Sequence, residues 1–368
     1  MKLLLHIGMG KAGSTSIQDF LYCNRQLLAE QGVLYPRSIM DRTVQNIGFT
    51  THNPITGPGY QRLFGVLHDE LCAAGCPTAI ISAENTWARL RAAEHLRTFR
   101  GFLERLGFED IGIILYLREP GAFFTSYYSQ LIRRGDITLP GPAGLAPLMP
   151  GRNDRVRTAL DYRGGLENWC TVFGREHLQV RLFSREAFHE GDLLHDFMQA
   201  LGLPWREDYQ LPGRVNESLN LREMALLTAV NQRLPGRCYV NGTPKHLIYR
   251  LVSRHLSGSD PQLRFAPPPA VLKEVRQHCA AGCEWVRRSF FPQRPRLFEV
   301  APDAEEHSAL TCMRPGDWEA LAGMVCDLAS QYAVALQHNA RLQQELQAAQ
   351  AAAAEDAAAP APDAGGQG

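Results

Sequence analysis

A short apolar run that ends in a glycine-rich turn and reopens as an amphipathic helix restricts this chain more than any other feature. Lys2–Ile7 leads straight into Gly8-Met-Gly-Lys-Ala-Gly-Ser-Thr-Ser16. From Ser14 to Glu30 apolar residues recur at helical spacing, with Ile17, Phe20, Leu21, Leu27 and Leu28 on one side. Strand, tight loop, helix is therefore the opening unit. Glycines at 8, 10 and 13 permit sharp turns and close backbone approach. Ser14, Thr15 and Ser16 offer hydroxyls at the start of a helix whose free N–H groups and dipole favour a negative charge. The loop reads as an anion cradle, and its lysine narrows the kind. A triphosphate-binding P-loop needs Gly-Lys followed directly by Ser or Thr. Here Ala12-Gly13 separates Lys11 from Ser14, an order that does not fit.

The pattern continues downstream. Thr78–Ser82 ends at Ala83-Glu-Asn85, and Ile111–Leu117 ends at Arg118-Glu-Pro-Gly121 before a helical stretch, Ala122–Arg134. Leu178–Leu182 precedes a helix over Asp192–Leu201 that stops at Gly202-Leu-Pro204. Continuous apolar strands alternating with helices predict a three-layer α/β sandwich of P-loop-like form, a central parallel sheet flanked by helices. Ligands of such sheets lie beyond the carboxyl ends of the strands, where the loop, Glu84 and Arg118 all fall. Two turn-rich loops, Thr50–Tyr60 and Leu139–Arg157, read either as lids and substrate contacts or as poorly ordered segments.

Composition excludes some partners. Lys+Arg and Asp+Glu both number 38, so nothing favours nucleic acid or a membrane surface, and any anion site must be built locally. The leucine run at the start is too short for a signal-peptide core. No stretch of roughly 18 apolar residues predicts a transmembrane segment, and the expected location is cytoplasmic. The nine cysteines are odd in number and scattered, which reads as reduced thiols. Cys279 and Cys283 lack a matching His or Cys pair nearby, so no metal is expected.

Two segments carry a family resemblance. Lys11-Ala-Gly-Ser-Thr15 behind the first strand resembles the phosphosulfate-binding loop of sulfotransferases that use 3′-phosphoadenosine 5′-phosphosulfate (PAPS), whose pattern is Lys-x-Gly-[Ser/Thr]-Thr. Leu115-Tyr-Leu-Arg-Glu-Pro-Gly-Ala-Phe-Phe-Thr-Ser-Tyr-Tyr128 resembles that family's 3′-phosphate motif, with Arg118 at the strand end and Ser126 in the next helix. A guanidinium fork and a hydroxyl so placed can converge on one phosphate. Asp161-Tyr-Arg-Gly-Gly-Leu-Glu-Asn-Trp169, Gly191-Asp-Leu-Leu-His-Asp-Phe197 and Arg214-Val-Asn-Glu-Ser-Leu219 also look like bacterial members, so the resemblance covers about residues 1–295. One feature departs from it: the Arg-Lys-Gly segment with which many relatives close the nucleotide site is absent, leaving the adenine contacts unassigned.

The resemblance implies a sulfotransferase domain over 1–300, PAPS as donor and adenosine 3′,5′-bisphosphate as product. It implies a donor-binding set of Lys11, Ala12, Gly13, Ser14, Thr15, Ser16, Arg118 and Ser126. Lys11 would neutralise the leaving group, and Glu84 is the candidate base, since relatives place His or Glu in that region. Glu84 could instead cap a helix starting near Asn85. His52 is a competing base, whereas His6 reads as a packed strand residue. The implied acceptor is a hydroxyl of a carbohydrate or glycolipid, with a small metabolite, a phenol or an amine as alternatives. A P-loop kinase would need a strand-end aspartate for Mg²⁺, where this chain carries Glu84 and Arg118.

Residues 301–350 form a helical extension in this reading, and 351–368, rich in Ala, Pro, Gly and Asp, an unstructured tail. Val325, Leu328, Tyr332, Ala335, Asn339, Leu342, Leu346 and Ala349 fall at heptad a and d positions, with Asn339 at an a position. That pattern fits a coiled coil and a homodimer, or a solvent-exposed helix packing its first half on the domain. A helical adaptor without enzymatic activity would leave Lys11, Arg118 and Ser126 without a role.

Overall fold

Three apolar runs become the middle of a sheet because each is buried on both faces. In the computed structural model, which describes residues 1–41, 44–45, 58–84, 86–137, 144–213, 219–234, 243–256, 264–300 and 315–358, the strands are β1 (Lys2–His6), β2 (Val33–Leu34), β3 (Met40–Asp41), β4 (Val44–Gln45), β5 (Thr78–Ser82), β6 (Asp110–Leu117) and β7 (Leu178–Leu182). β2, β5, β1, β6 and β7 lie side by side in that order, every pair parallel. β3 and β4 form a separate antiparallel pair. Leu3, Leu5, Ile80, Ile81 and Ile114 are fully buried, which is why these runs show no polar alternation. His6 stands in register with Ser82 on one side and Ile114 on the other, so β1 and β5 end at one level while β6 runs on to Leu117, where it ends level with Leu182 of β7.

Crossover handedness then places the helices. α1 (Ser14–Cys23) and α2 (Arg25–Glu30) carry the chain from β1 toward the β2 edge. α3 (Pro58–Ala74), then α4 (Thr86–Arg89) with α5 (Ala93–Arg105), then α6 (Pro120–Arg134), α7 (Asp154–Leu160) and α8 (Tyr162–Phe173) carry it the opposite way. Right-handed crossovers running in opposite directions cover opposite faces. Packing agrees: α5 lies against α8, and α1 against α9 (Leu193–Leu201), the helix after β7. The result is the expected three-layer α/β sandwich.

Local chemistry moved some boundaries. The helix expected over Ser14–Glu30 breaks at Asn24. Its buried amide donates to the carbonyls of Phe20 (2.9 Å) and Gln210 (2.8 Å) and accepts from the Gln210 N–H (2.8 Å). α7 begins inside the loop expected over Leu139–Arg157, because the Asn153 side chain caps it at the Val156 N–H (3.1 Å). His52 and residues 214–218 of the last resemblance segment lie outside the described residues.

The chain divides into two compact units. One comprises Met1–Ser129, Gly141–Ser218 and Phe265–His307; the other comprises Gln130–Pro140, Leu219–Arg264 and Ser308–Gly368. The first contains the sheet and α12 (Pro269–Phe290), which packs on α8. In the second, α10 (Leu221–Arg233) and α11 (Pro244–His255) hold the base of α13 (Pro315–Ala358) through buried Trp318, Ala322, Cys326 and Ala329. α13 runs past Gln350 to Ala358, in keeping with the helix preference of its alanines. Among the described residues no helix is long and apolar enough to cross a membrane.

Candidate active site

The loop after β1 is a tight turn. The Ala12 N–H donates to the Met9 carbonyl (3.2 Å), which puts Gly10 and Lys11 at its corner. Lys11 takes φ 68°, the left-handed region that a residue with a Cβ avoids at a cost of about 1–2 kcal/mol. A turn ordinarily gives this place to glycine, so the lysine stands there at a conformational cost. Gly13 follows at φ 77°, and a Cβ there would come within 2.4 Å of Leu193 Cδ2 and 2.8 Å of Phe183 Cε2. Only glycine lets the loop lie this close to β7 and α9.

α1 begins at Ser14 with no side-chain cap, unlike α7, α8 and α9, which are capped by Asn153, Asp161 and Asp192. Its first N–H groups, at Ser14, Thr15 and Ser16, have no acceptor within the helix. The Ser14 hydroxyl is 3% exposed and has no hydrogen-bond partner among the described residues. A buried hydroxyl left unsatisfied costs about 1–3 kcal/mol, so its retention calls for a reason. Uncapped N–H groups, an unpartnered hydroxyl and a lysine on one turn are the donors an anion requires.

Arg118, just past the end of β6, donates from its guanidinium to the Lys11 carbonyl. Its Cζ stands 5.3 Å from the Phe183 ring centroid, and the Phe183 N–H donates to the Leu117 carbonyl (2.7 Å). The Arg118 carbonyl accepts from the Tyr162 hydroxyl at 2.5 Å. Burial, with Cys283, Cys279 and Glu119 adding, raises the Tyr162 pKa well above its ordinary value, so the phenol stays a donor. Tyr162 is placed by the α7–α8 corner: Trp87 Nε1 donates to the Ala159 carbonyl (3.1 Å), and Arg91 pairs with Asp161 (2.9 Å). Next to Arg118, the Glu119 carboxylate caps α6 at the Gly121 and Ala122 N–H groups (3.0 and 2.7 Å) and pairs with Arg276 of α12 (3.0 Å). Ser126 is buried in the second turn of α6.

Glu84 lies in the turn after β5. That turn is laced to β1 by the Ala83 N–H on the His6 carbonyl (2.9 Å) and the Trp87 N–H on the Ile7 carbonyl (3.1 Å). The Glu84 Cα is 3.0 Å, and its Oε1 3.8 Å, from where Cβ atoms on Gly8 and Gly10 would stand. The carboxylate therefore lies alongside the anion loop. Beneath the loop His6 is fully buried, its Nδ1 sharing a hydrogen bond with Ser82 Oγ (2.8 Å), while Gln18 Nε2 donates to the Ser82 carbonyl (2.9 Å). Burial lowers the His6 pKa to about 3, so the ring is neutral and cannot serve as the loop's cation.

The structure thus gathers Lys11, Ala12, Gly13, Ser14, Glu84 and Arg118 at one sheet edge. Tyr162, Phe183, Leu193 and Arg276 support this group without any role assigned from the sequence, although Tyr162 and Leu193 fall in segments that carry the resemblance. Phe183 had one available signal, since it directly follows a strand. Among the described residues no cluster of His, Cys, Asp and Glu forms a metal site.

No protein-family model matches the chain. A stretch of 122 residues is 26% identical to an uncharacterized protein of Archaeoglobus fulgidus, covering 33% of this chain and 31% of that protein. The chain thus spans about a third of the length of the curated relative it matches. Among solved structures it is similar to a sulfotransferase from Alicyclobacillus acidocaldarius, at 18% identity and a TM-score of 0.37, over 63% of this chain and 94% of that one. Both likenesses are too remote to assign an activity.

Proposed function

We propose that this chain is a sulfotransferase that moves the sulfuryl group of PAPS to a hydroxyl of a carbohydrate or glycolipid. The observation that carries the reading is the bond from Arg118 to the Lys11 carbonyl, which joins the two segments that resemble donor-binding motifs at one edge of the sheet. The Ser14 hydroxyl, buried without a partner beside them, supplies a donor for an anionic oxygen.

In this reading the α1 N–H groups and the hydroxyls of Ser14, Thr15 and Ser16 hold the 5′-phosphosulfate. Arg118 and Ser126 take the 3′-phosphate. The acceptor oxygen attacks sulfur in line, its S–O bond forming as the bond from sulfur to the bridging oxygen breaks. Adenosine 3′,5′-bisphosphate leaves with that electron pair, and the Lys11 ammonium meets the charge that develops there. The hydroxyl proton passes to Glu84, whose carboxylate lies along the loop. A glutamate at this place favours a sugar hydroxyl, because glycan-modifying members of the family that the chain resembles often use glutamate in this region. A kinase reading has against it the Ala12-Gly13 insertion between Lys11 and Ser14.

The test is to supply the full chain with sulfur-labelled PAPS and a panel of glycans, glycolipids, phenols and amines. Label transfer to a sugar hydroxyl with matching release of adenosine 3′,5′-bisphosphate is expected. Tight binding of Mg·ATP with no binding of adenosine 3′,5′-bisphosphate would overturn the reading.

A further inference from the structure

The proposed chemistry leaves the outer part of α13 without a role. Its base is anchored by Trp318, Ala322, Cys326 and Ala329, but beyond Ala329 the side chains up to Gln350 stand in solvent, apart from the half-buried Ala333. That stretch of about 20 residues extends about 30 Å without packing on the other described residues. Most helical stability in proteins comes from packing an apolar face, so a helix whose apolar side chains stand in solvent calls for a partner.

Most of the exposed apolar residues beyond Cys326 form a seam, with Val334 off it. Leu328 is 65% exposed, Tyr332 51%, Leu342 47% and Leu346 59%, and with Ala335, Asn339 and Ala349 they follow alternating steps of four and three residues. This is the spacing of a two-stranded coiled coil, where a and d side chains stay on one line as the helices supercoil. Leu336, 44% exposed, borders the seam and adds apolar surface to it.

We propose that the occupant of this seam is the same seam of a second copy of the chain, parallel and in register. Asn339 selects that partner. An amide buried in an apolar seam needs another polar group at the same level. In a parallel, in-register pair each Asn339 faces the other, whereas a partner with an apolar residue there leaves the amide unsatisfied. Charge points the same way. The flanking positions are Gln331, Leu336, His338, Gln343, Glu345 and Gln350. Glu345, their one acidic residue, is already paired with Arg341 of its own helix at 2.8 Å. Two identical seams therefore meet without like-charge repulsion, and the seam offers no strong field to attract an oppositely charged partner.

The full chain tests this directly. Light scattering across low to high micromolar protein is expected to give twice the 41.0 kDa chain mass. The pair Leu342→Glu and Leu346→Glu, both exposed positions, should return it to 41.0 kDa with unchanged binding of adenosine 3′,5′-bisphosphate. Asn339→Cys, treated with a mild oxidant, should give a disulfide-linked dimer that the wild-type chain, with its own cysteines, does not form. A wild-type mass of one chain at the highest concentration would overturn the proposal, as would capture of a different protein by this helix in place of a second copy. A dimer in which Asn339→Cys fails to cross-link would overturn the parallel register.

Discussion

The Arg118 guanidinium donates to the carbonyl of Lys11, so the residue closing one strand holds the corner of the turn that follows its neighbour. That carbonyl belongs to a residue in a left-handed conformation, and Arg118 is itself held from behind by the Tyr162 hydroxyl. The backbone of Lys11 is thereby held at its carbonyl, a contact that any residue at this position can accept. Conformation and charge at Lys11 can therefore be separated by mutation.

Lys11→Gly should leave stability unchanged or raise it by up to about 1 kcal/mol, because glycine adopts φ 68° without the Cβ penalty. Turnover should nevertheless fall on the order of a hundredfold or more, the usual cost of removing a preorganised donor. Thermal denaturation run beside an assay of adenosine 3′,5′-bisphosphate release checks both. Near-normal turnover in Lys11→Gly would remove Lys11 from the chemistry.

Glu84→Gln should bind adenosine 3′,5′-bisphosphate as the wild type does and lose roughly 10²–10⁴-fold in turnover, the range expected for a general base. Calorimetric titration with the nucleotide separates binding from transfer. If the variant transfers at the wild-type rate, the proton goes elsewhere.

Arg118→Leu should weaken adenosine 3′,5′-bisphosphate by about 2 kcal/mol, some thirtyfold, as expected for a lost charge-assisted contact. Adenosine 5′-monophosphate, which lacks the 3′-phosphate, should be weakened far less. Equal losses for the two nucleotides would mean that Arg118 acts only by holding the Lys11 carbonyl.

Gly13→Ala should cost about 2–4 kcal/mol, combining the penalty at φ 77° with the clash against Leu193 and Phe183. Gly75→Ala is the control: it shares a positive φ, 62°, but a Cβ there meets nothing within 4 Å. That variant should lose only about 1–2 kcal/mol. Denaturant melts that show equal losses would exclude the packing contribution.

His6 carries a pH signature. Its pKa is about 3 in the folded protein, below the ordinary 6.5, so between those values the unfolded chain binds the extra proton. Its contribution to stability is complete above about pH 6.5 and is lost toward pH 3, at up to about 1.4 kcal/mol per pH unit. His6→Asn, which retains a group near Nδ1 for Ser82, should flatten that part of the acid limb in denaturation curves at pH 7, 6 and 5. An unchanged slope would place the ring in water.

Local pattern determined a good deal by itself. Apolar runs without alternation announced buried parallel strands, because a strand covered on both faces has no polar side to show. Glu84 and Arg118, just past two of those strands, and Lys11 in the loop after the third were legible for the same reason: a run of buried residues stops where the chain leaves the sheet. β2, β3 and β4 were not legible, being two residues each and too short for any periodicity.

Tertiary structure decided what those ends do to one another. Arg118 and Lys11 are 107 residues apart, and their contact exists because β1 and β6 pair as neighbours. The same pairing logic puts Glu84 beside Gly10, since β5 flanks β1 on the other side. It also breaks the helix at Asn24, whose amide is satisfied by Gln210, 186 residues away. Spacing along a chain encodes burial and turns. The order in which strands meet, and with it the company each strand end keeps, arises only when distant segments compete for the same buried places.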